Sequence, residues 1–138
     1  MALALKDQGN TAFKTGNFDG AKRLYTEAIA QCKKDDSDLR AMILTNRAAT
    51  HLKTENYVDA YRDCSDVLEI NPGHTKALYR SAQANVGLND FNTAYKVLSK
   101  LLHIEPKNPD GILLMKVVKK GVEEEQANAS QIGNILSA

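Results

Sequence analysis

The sequence has no tryptophan, two cysteines and three prolines in 138 residues, and its formal net charge is only +1. Each shortage removes a class of protein. Cys32 and Cys64 are too few for a disulfide framework and are not spaced as a metal-binding pair. Lys and Arg (18) nearly cancel Asp and Glu (17), which excludes the concentrated basic excess that a nucleic-acid backbone requires. No apolar run approaches the roughly 18–20 residues of a membrane span. Met1 to Asp7 has neither the charged start nor the apolar core of a signal peptide, so the expected compartment is the cytoplasm. There is no glycine-rich phosphate loop, nucleophile elbow or paired-carboxylate motif. No catalytic residue, metal or cofactor is therefore expected, and the chain reads as a non-enzyme.

What the sequence does contain is a repeat. Gly16-Asn17-Phe18-Asp19-Gly20-Ala21, Glu55-Asn56-Tyr57-Val58-Asp59-Ala60 and Asn89-Asp90-Phe91-Asn92-Thr93-Ala94 each give a polar turn, an aromatic, and an alanine three residues later. Ala60 to Ala94, Pro72 to Pro106 and Leu44 to Leu78 are all steps of 34, whereas Ala21 to Ala60 is 39. The excess falls in the charged stretch Lys33 to Asp38. Between turns, apolar residues recur every three or four positions, as in Val97, Leu98, Leu101 and Leu102, which is helical periodicity. Pro72 and Pro106 close helices, and Pro109 follows Asn108 as a first-turn proline after an N-cap. Helices are predicted near 2–15, 18–33, 38–53, 57–70, 74–87 and 91–104, with a seventh from Pro109 to about Asn128. On this last helix Ile112, Leu113, Leu114, Val117 and Val118 are expected to form one apolar stripe beside Lys116, Lys119, Lys120 and Glu123.

The 34-residue step and the small residues Gly9, Ala48 and Ala82 in first helices resemble the tetratricopeptide-repeat (TPR) pattern, as do Ala21, Ala60 and Ala94 in second helices and the closing prolines. The resemblance covers about residues 2–107. It implies an all-α fold of three helix-turn-helix repeats (about 2–35, 41–74 and 75–108) with a capping helix (about 109–128), wound as a right-handed superhelix. Phe18, Tyr57 and Phe91 should fill space between units, and the first helices should line a concave groove. Residues 129–138 read as a tail leading to a missing downstream region.

Those first helices carry a defined polar set. Lys6 and Asn10 are four apart, as are Lys76 and Arg80, so each pair shares a face, and Asn46 lies at the equivalent face of unit two. Like charges at that spacing repel by a few tenths of a kcal/mol. One reading is a solvated basic edge; the other is an anion that offsets the repulsion. Lys6, Asn10, Asn46, Lys76 and Arg80 resemble the two-carboxylate clamp of TPR co-chaperones. That family holds the C-terminal Glu-Glu-Val-Asp tail of the cytosolic 90- and 70-kilodalton heat-shock chaperones (heat-shock proteins 90 and 70). The resemblance implies that Lys6, Asn10 and Asn46 hold the terminal carboxylate and that Lys76 and Arg80 take the aspartate side chain. Phe13, one turn beyond Asn10, would line a pocket for the penultimate valine, or simply pack.

The insert and the Lys/Glu-rich exit helix are similar to the N-terminal domain of UCS-type myosin chaperones, which implies myosin as a client of a region absent here. Alternatives are the targeting domain of an immunophilin or phosphatase, and a TPR adaptor that binds an internal peptide. Neither nucleic acid nor membrane is an expected partner. Cys64 and Cys32 read as inert packing thiols, and His51, His74 and His103 as isolated imidazoles without a carboxylate at ligand spacing. The sequon Asn128-Ala129-Ser130 has no use in a cytoplasmic chain.

Overall fold

The computed structural model describes residues 1–137. Its helices are α1 (Ala2–Lys14), α2 (Phe18–Gln31), α3 (Ser37–Lys53), α4 (Tyr57–Ile70), α5 (Thr75–Gly87), α6 (Phe91–Ile104) and α7 (Pro109–Ser137). No strand occurs among the described residues. The first six helices start and stop within two residues of the sequence expectation. The seventh departs from it, running to Ser137 instead of ending near Asn128. Nothing from Glu123 to Ser137 breaks a helix except Gly133, and extending a helix already seated on a packed base adds one hydrogen bond per residue.

The turn inside each unit has a common physical basis. Gly16, Glu55 and Asn89 have φ of 81°, 60° and 58°, the left-handed conformation that ends a helix. After each, an amide returns to a carbonyl five residues back: Asn17 to Ala12 (2.9 Å), Asn56 to His51 (2.8 Å) and Asp90 to Asn85 (2.8 Å). In the first and third units a side chain then caps the next helix, whereas Asn56 at the start of α4 makes no such bond. Asn17 accepts from the Gly20 amide and Asp90 from the Thr93 amide. Across the charged insert, Asp36 caps α3 by accepting from Leu39, and Asn108 caps α7 by accepting from Gly111.

Each helix packs on its chain neighbours, and α1 also touches α3, α3 touches α5, and α5 touches α7. First helices therefore share one side of the stack. The core is three linked clusters centred on Tyr25 and Ile43, on Leu44 and Val67, and on Leu78, Leu98 and Val118. Ala21, Ala48, Ala60, Ala82 and Ala94 are wholly buried, so the small residues do allow close approach. A Cβ on Gly9 would lie 2.6 Å from the Tyr25 ring.

The aromatics fix how units stack. The Tyr57 ring fills the place where a Cβ on Gly87 would sit, and the Phe91 ring does the same at Gly121, each 2.4 Å away. Both pairs are 30 residues apart, so α7 sits on the third unit as α5 sits on the second. Phe18 differs, packing edge-on against Phe13 within unit one at 5.5 Å.

The expected apolar stripe of α7 is split. Val118 is buried and Leu114 half-buried, joined by Gly111, Met115, Gly121 and Val122, while Ile112, Leu113 and Val117 are exposed. At 100° per residue, five apolar residues within seven positions span more of the helix than one packing face can cover.

Candidate functional site

Lys6, Asn10 and Phe13 lie on α1, Asn46 on α3, and Lys76 and Arg80 on α5. The structure brings all of them except Lys6 together around two adjoining hollows on the first-helix side. One, of about 230 Å³, is walled by Asn10, Phe13, Lys14, Tyr25, Asn46 and Arg80. The other, a cleft of about 530 Å³, shares Phe13 and Arg80 and adds Lys53, Lys76, Tyr79, Gln83 and Asp110. Lys6 stands in neither wall. It is buried one turn before Asn10, with its ammonium 3.5 Å from the exposed Asp7 carboxylate.

Asn10 is the hub of the smaller hollow. Its side-chain oxygen accepts from the Tyr25 hydroxyl at 2.6 Å and from the Asn46 amide at 3.0 Å. With the oxygen engaged twice, the Asn10 NH2 group is left as a donor, and Asn46 keeps a second N–H. Burial raises the Tyr25 phenol pKa, against the opposing pull of the Arg80 charge, so the hydroxyl keeps its proton and donates.

Arg80 is also held from behind. Its Nη1 donates to the backbone carbonyl of Thr45 at 2.6 Å. Burial lowers its pKa, but a guanidinium stays charged at any ordinary pH. The protein itself thus supplies an acceptor to Arg80, while Lys76 is exposed. The result is a concave patch of fixed amide donors flanked by Lys14, Lys53, Lys76 and Arg80, suited to a carboxylate group.

Sequence reading missed Tyr25. The signal was a hydroxyl-bearing residue at the second-helix position that Cys64 and Leu98 fill in the other units. It also missed an ion pair. Arg47, next to Asn46, grips the buried Asp63 with Nε and Nη2 at 2.8 and 2.7 Å and donates to Thr26 at 3.1 Å. His51 Nε2 lies 3.5 Å from the same carboxylate, so a carboxylate does accompany this histidine, brought from the facing helix. Burial nevertheless lowers the His51 pKa. Cys64 is wholly buried and its thiol pKa is pushed up to about 12, which makes it a poor nucleophile. No described helix is long and apolar enough to cross a membrane.

The tetratricopeptide-repeat family model matches residues 51–116. Zebrafish (Danio rerio) protein unc-45 homolog B is 40% identical over 107 residues, covering 78% of this chain and 12% of that protein. The crystal structure of the myosin chaperone UNC-45 from C. elegans, in complex with an Hsp90 peptide, superposes with a TM-score of 0.88 at 27% identity. It covers 97% of this chain and 15% of that one. The first TPR of Spaghetti (RPAP3), bound to the Hsp90 peptide SRMEEVD, superposes at 0.79 and 28% identity over 88% of this chain and 95% of that one. The chain thus spans about an eighth of the length of the unc-45 relative that it matches. The repeated turns, the aromatic-on-glycine stacking and these likenesses together make the chain a tetratricopeptide-repeat domain.

Proposed function

We propose that the chain is a co-chaperone module that grips the free C-terminal Glu-Glu-Val-Asp tail of heat-shock protein 90, and of heat-shock protein 70 where it presents the same tail. The observation that carries this reading is the preset donor group of Asn10, Asn46 and Arg80, oriented by Tyr25 and by the Thr45 carbonyl before any ligand arrives. Donors fixed in advance bind an anion without the cost of ordering them. Asn10 and Asn46 take the terminal carboxylate with Lys6 beside them, Lys76 and Arg80 take the aspartate side chain, and Phe13 receives the valine. Likeness to RPAP3 and UNC-45 domains described with Hsp90 peptides supports the ligand class. Likeness to a myosin chaperone supports a longer protein that folds myosin through a region outside this chain. The module works as an adaptor with no chemistry of its own, in the cytoplasm.

Titration calorimetry with acetylated Met-Glu-Glu-Val-Asp tests the reading. Binding in the micromolar range, about −8 kcal/mol, is expected. Amidating the peptide's C-terminus should remove most of it. An amidated peptide that binds equally well would leave an adaptor for internal segments as the better account.

A further inference from the structure

The 34-residue register carries the groove further than the polar set. Lys76, Tyr79 and Gln83 of α5 correspond to Asp110, Leu113 and Val117 of α7. The Phe91–Gly121 seat, which repeats the Tyr57–Gly87 seat, makes this a correspondence in space and not only in numbering. Tyr79, Gln83 and Asp110 already wall the larger cleft. Leu113 and Val117 follow Asp110 on α7 at steps of three and four, which places them on one helix face with it, and they are 61% and 52% exposed.

The other side of α7 is closed. Where α5 has the buried Ala82 and Asn85, α7 has the exposed Lys116 and Lys119. A further helix packed there would have to desolvate two ammonium groups. Leu113 and Val117 are thus not a waiting repeat interface. Charge also changes sign along the groove. Its walls carry Lys14, Lys53, Lys76 and Arg80, and then Asp110 as the one carboxylate among the residues that line them. Tyr79, its pKa raised mainly by burial and then by the Asp110 charge, lies within reach of that field.

We propose that α7 reads the residues upstream of the bound carboxylate end, seating an apolar side chain on Leu113 and Val117 and selecting a cation, against an anion, at Asp110. This rests on the function proposed above. From α3 through α5 to α7 is two helix spacings, roughly 16–20 Å. An extended chain at ~3.3 Å per residue covers that in about five or six residues. In Ser-Arg-Met-Glu-Glu-Val-Asp, the peptide bound by the RPAP3 domain, the methionine and arginine fall four and five residues before the last. That peptide meets both demands.

The probes are acetylated Glu-Glu-Val-Asp, the heptapeptide, and the heptapeptide with its arginine replaced by glutamate. The wild-type chain should bind the heptapeptide roughly tenfold tighter than the tetrapeptide and prefer arginine over glutamate about fivefold. In the Leu113→Gln/Val117→Gln variant the tenfold gain should shrink to about twofold with the tetrapeptide affinity unchanged. Asp110→Lys should invert the arginine–glutamate preference. If the variants move the tetrapeptide and heptapeptide equally, or move neither, while the tetrapeptide still binds, this inference falls and the carboxylate groove stands. If the wild-type chain does not bind the tetrapeptide even at millimolar concentration, the groove reading falls and takes this one with it.

Discussion

At the scale of single residues, Lys76 and Arg80 look interchangeable in the sequence but are not in the fold. Lys76 is exposed and has no protein partner among the described hydrogen bonds and ion pairs. Arg80 bonds the Thr45 carbonyl across the α3–α5 boundary. Lys76→Glu should therefore weaken peptide binding at least tenfold, roughly the loss of one charge-assisted contact, and leave the melting temperature unchanged. Arg80→Ala should weaken binding and also lower stability by about 1–2 kcal/mol, because the Thr45 carbonyl loses its charged donor. Calorimetry and urea unfolding on both variants separate the two effects. Equal stability of the two variants would show that the Thr45 contact carries no weight. The spacing of four in the sequence gives no reason to separate the two residues, and the contact at 2.6 Å is what makes Arg80 matter to the fold.

At the scale of the element, α5 carries Lys76 and Arg80 and begins on a titratable cap. His74 Nδ1 accepts the Ala77 amide at 3.2 Å, which only an unprotonated nitrogen can do. Burial first, and then the charges of Lys76 and Arg80, lower the His74 pKa despite an opposing backbone hydrogen bond. His51 is lowered as well, burial outweighing the attraction of Asp63 and Asp59. The folded chain thus binds fewer protons than the unfolded one in the histidine range. The stability from these groups is complete above the unfolded value, near 6.5, and is lost as pH falls through the lower folded values. The melting temperature should be level from about pH 7 to 8.5 and decline below about 6.5. His74→Asn keeps a side-chain acceptor at the N-cap without titrating, so its decline should be shallower, with the His51 part remaining. Superimposable profiles for the two proteins would exclude His74 as a contributor.

At the scale of the whole molecule, the stack is held neighbour to neighbour, so a fault in one seat should stay local. Gly121→Val puts a branched side chain into the space of the Phe91 ring, where even a Cβ would lie at 2.4 Å. Overpacking of this kind costs about 1–3 kcal/mol. Hydrogen exchange should show α7 losing protection while α1 to α4 keep theirs. Uniform loss across all helices would mean that the chain folds as one cooperative block.

The number, order and limits of the first six helices were legible in the sequence. Their determinants are local: a 34-residue repeat, a left-handed turn residue at Gly16, Glu55 and Asn89, and an Asn or Asp cap next to it. The candidate polar residues were legible too, because a spacing of four says which side chains share one face of one helix. What faces that side is a different matter. Asn10 meets Tyr25 and Asn46 across separations of 15 and 36 residues, and Arg80 meets Thr45 across 35. Periodicity within a helix has no information on such partners, since they depend on how far apart and at what rotation two helices dock. For the same reason the tertiary structure alone divided the apolar residues of α7. The seat of Phe91 on Gly121 sets the rotation of that helix, turning Leu114 and Val118 inward and leaving Leu113 and Val117 exposed.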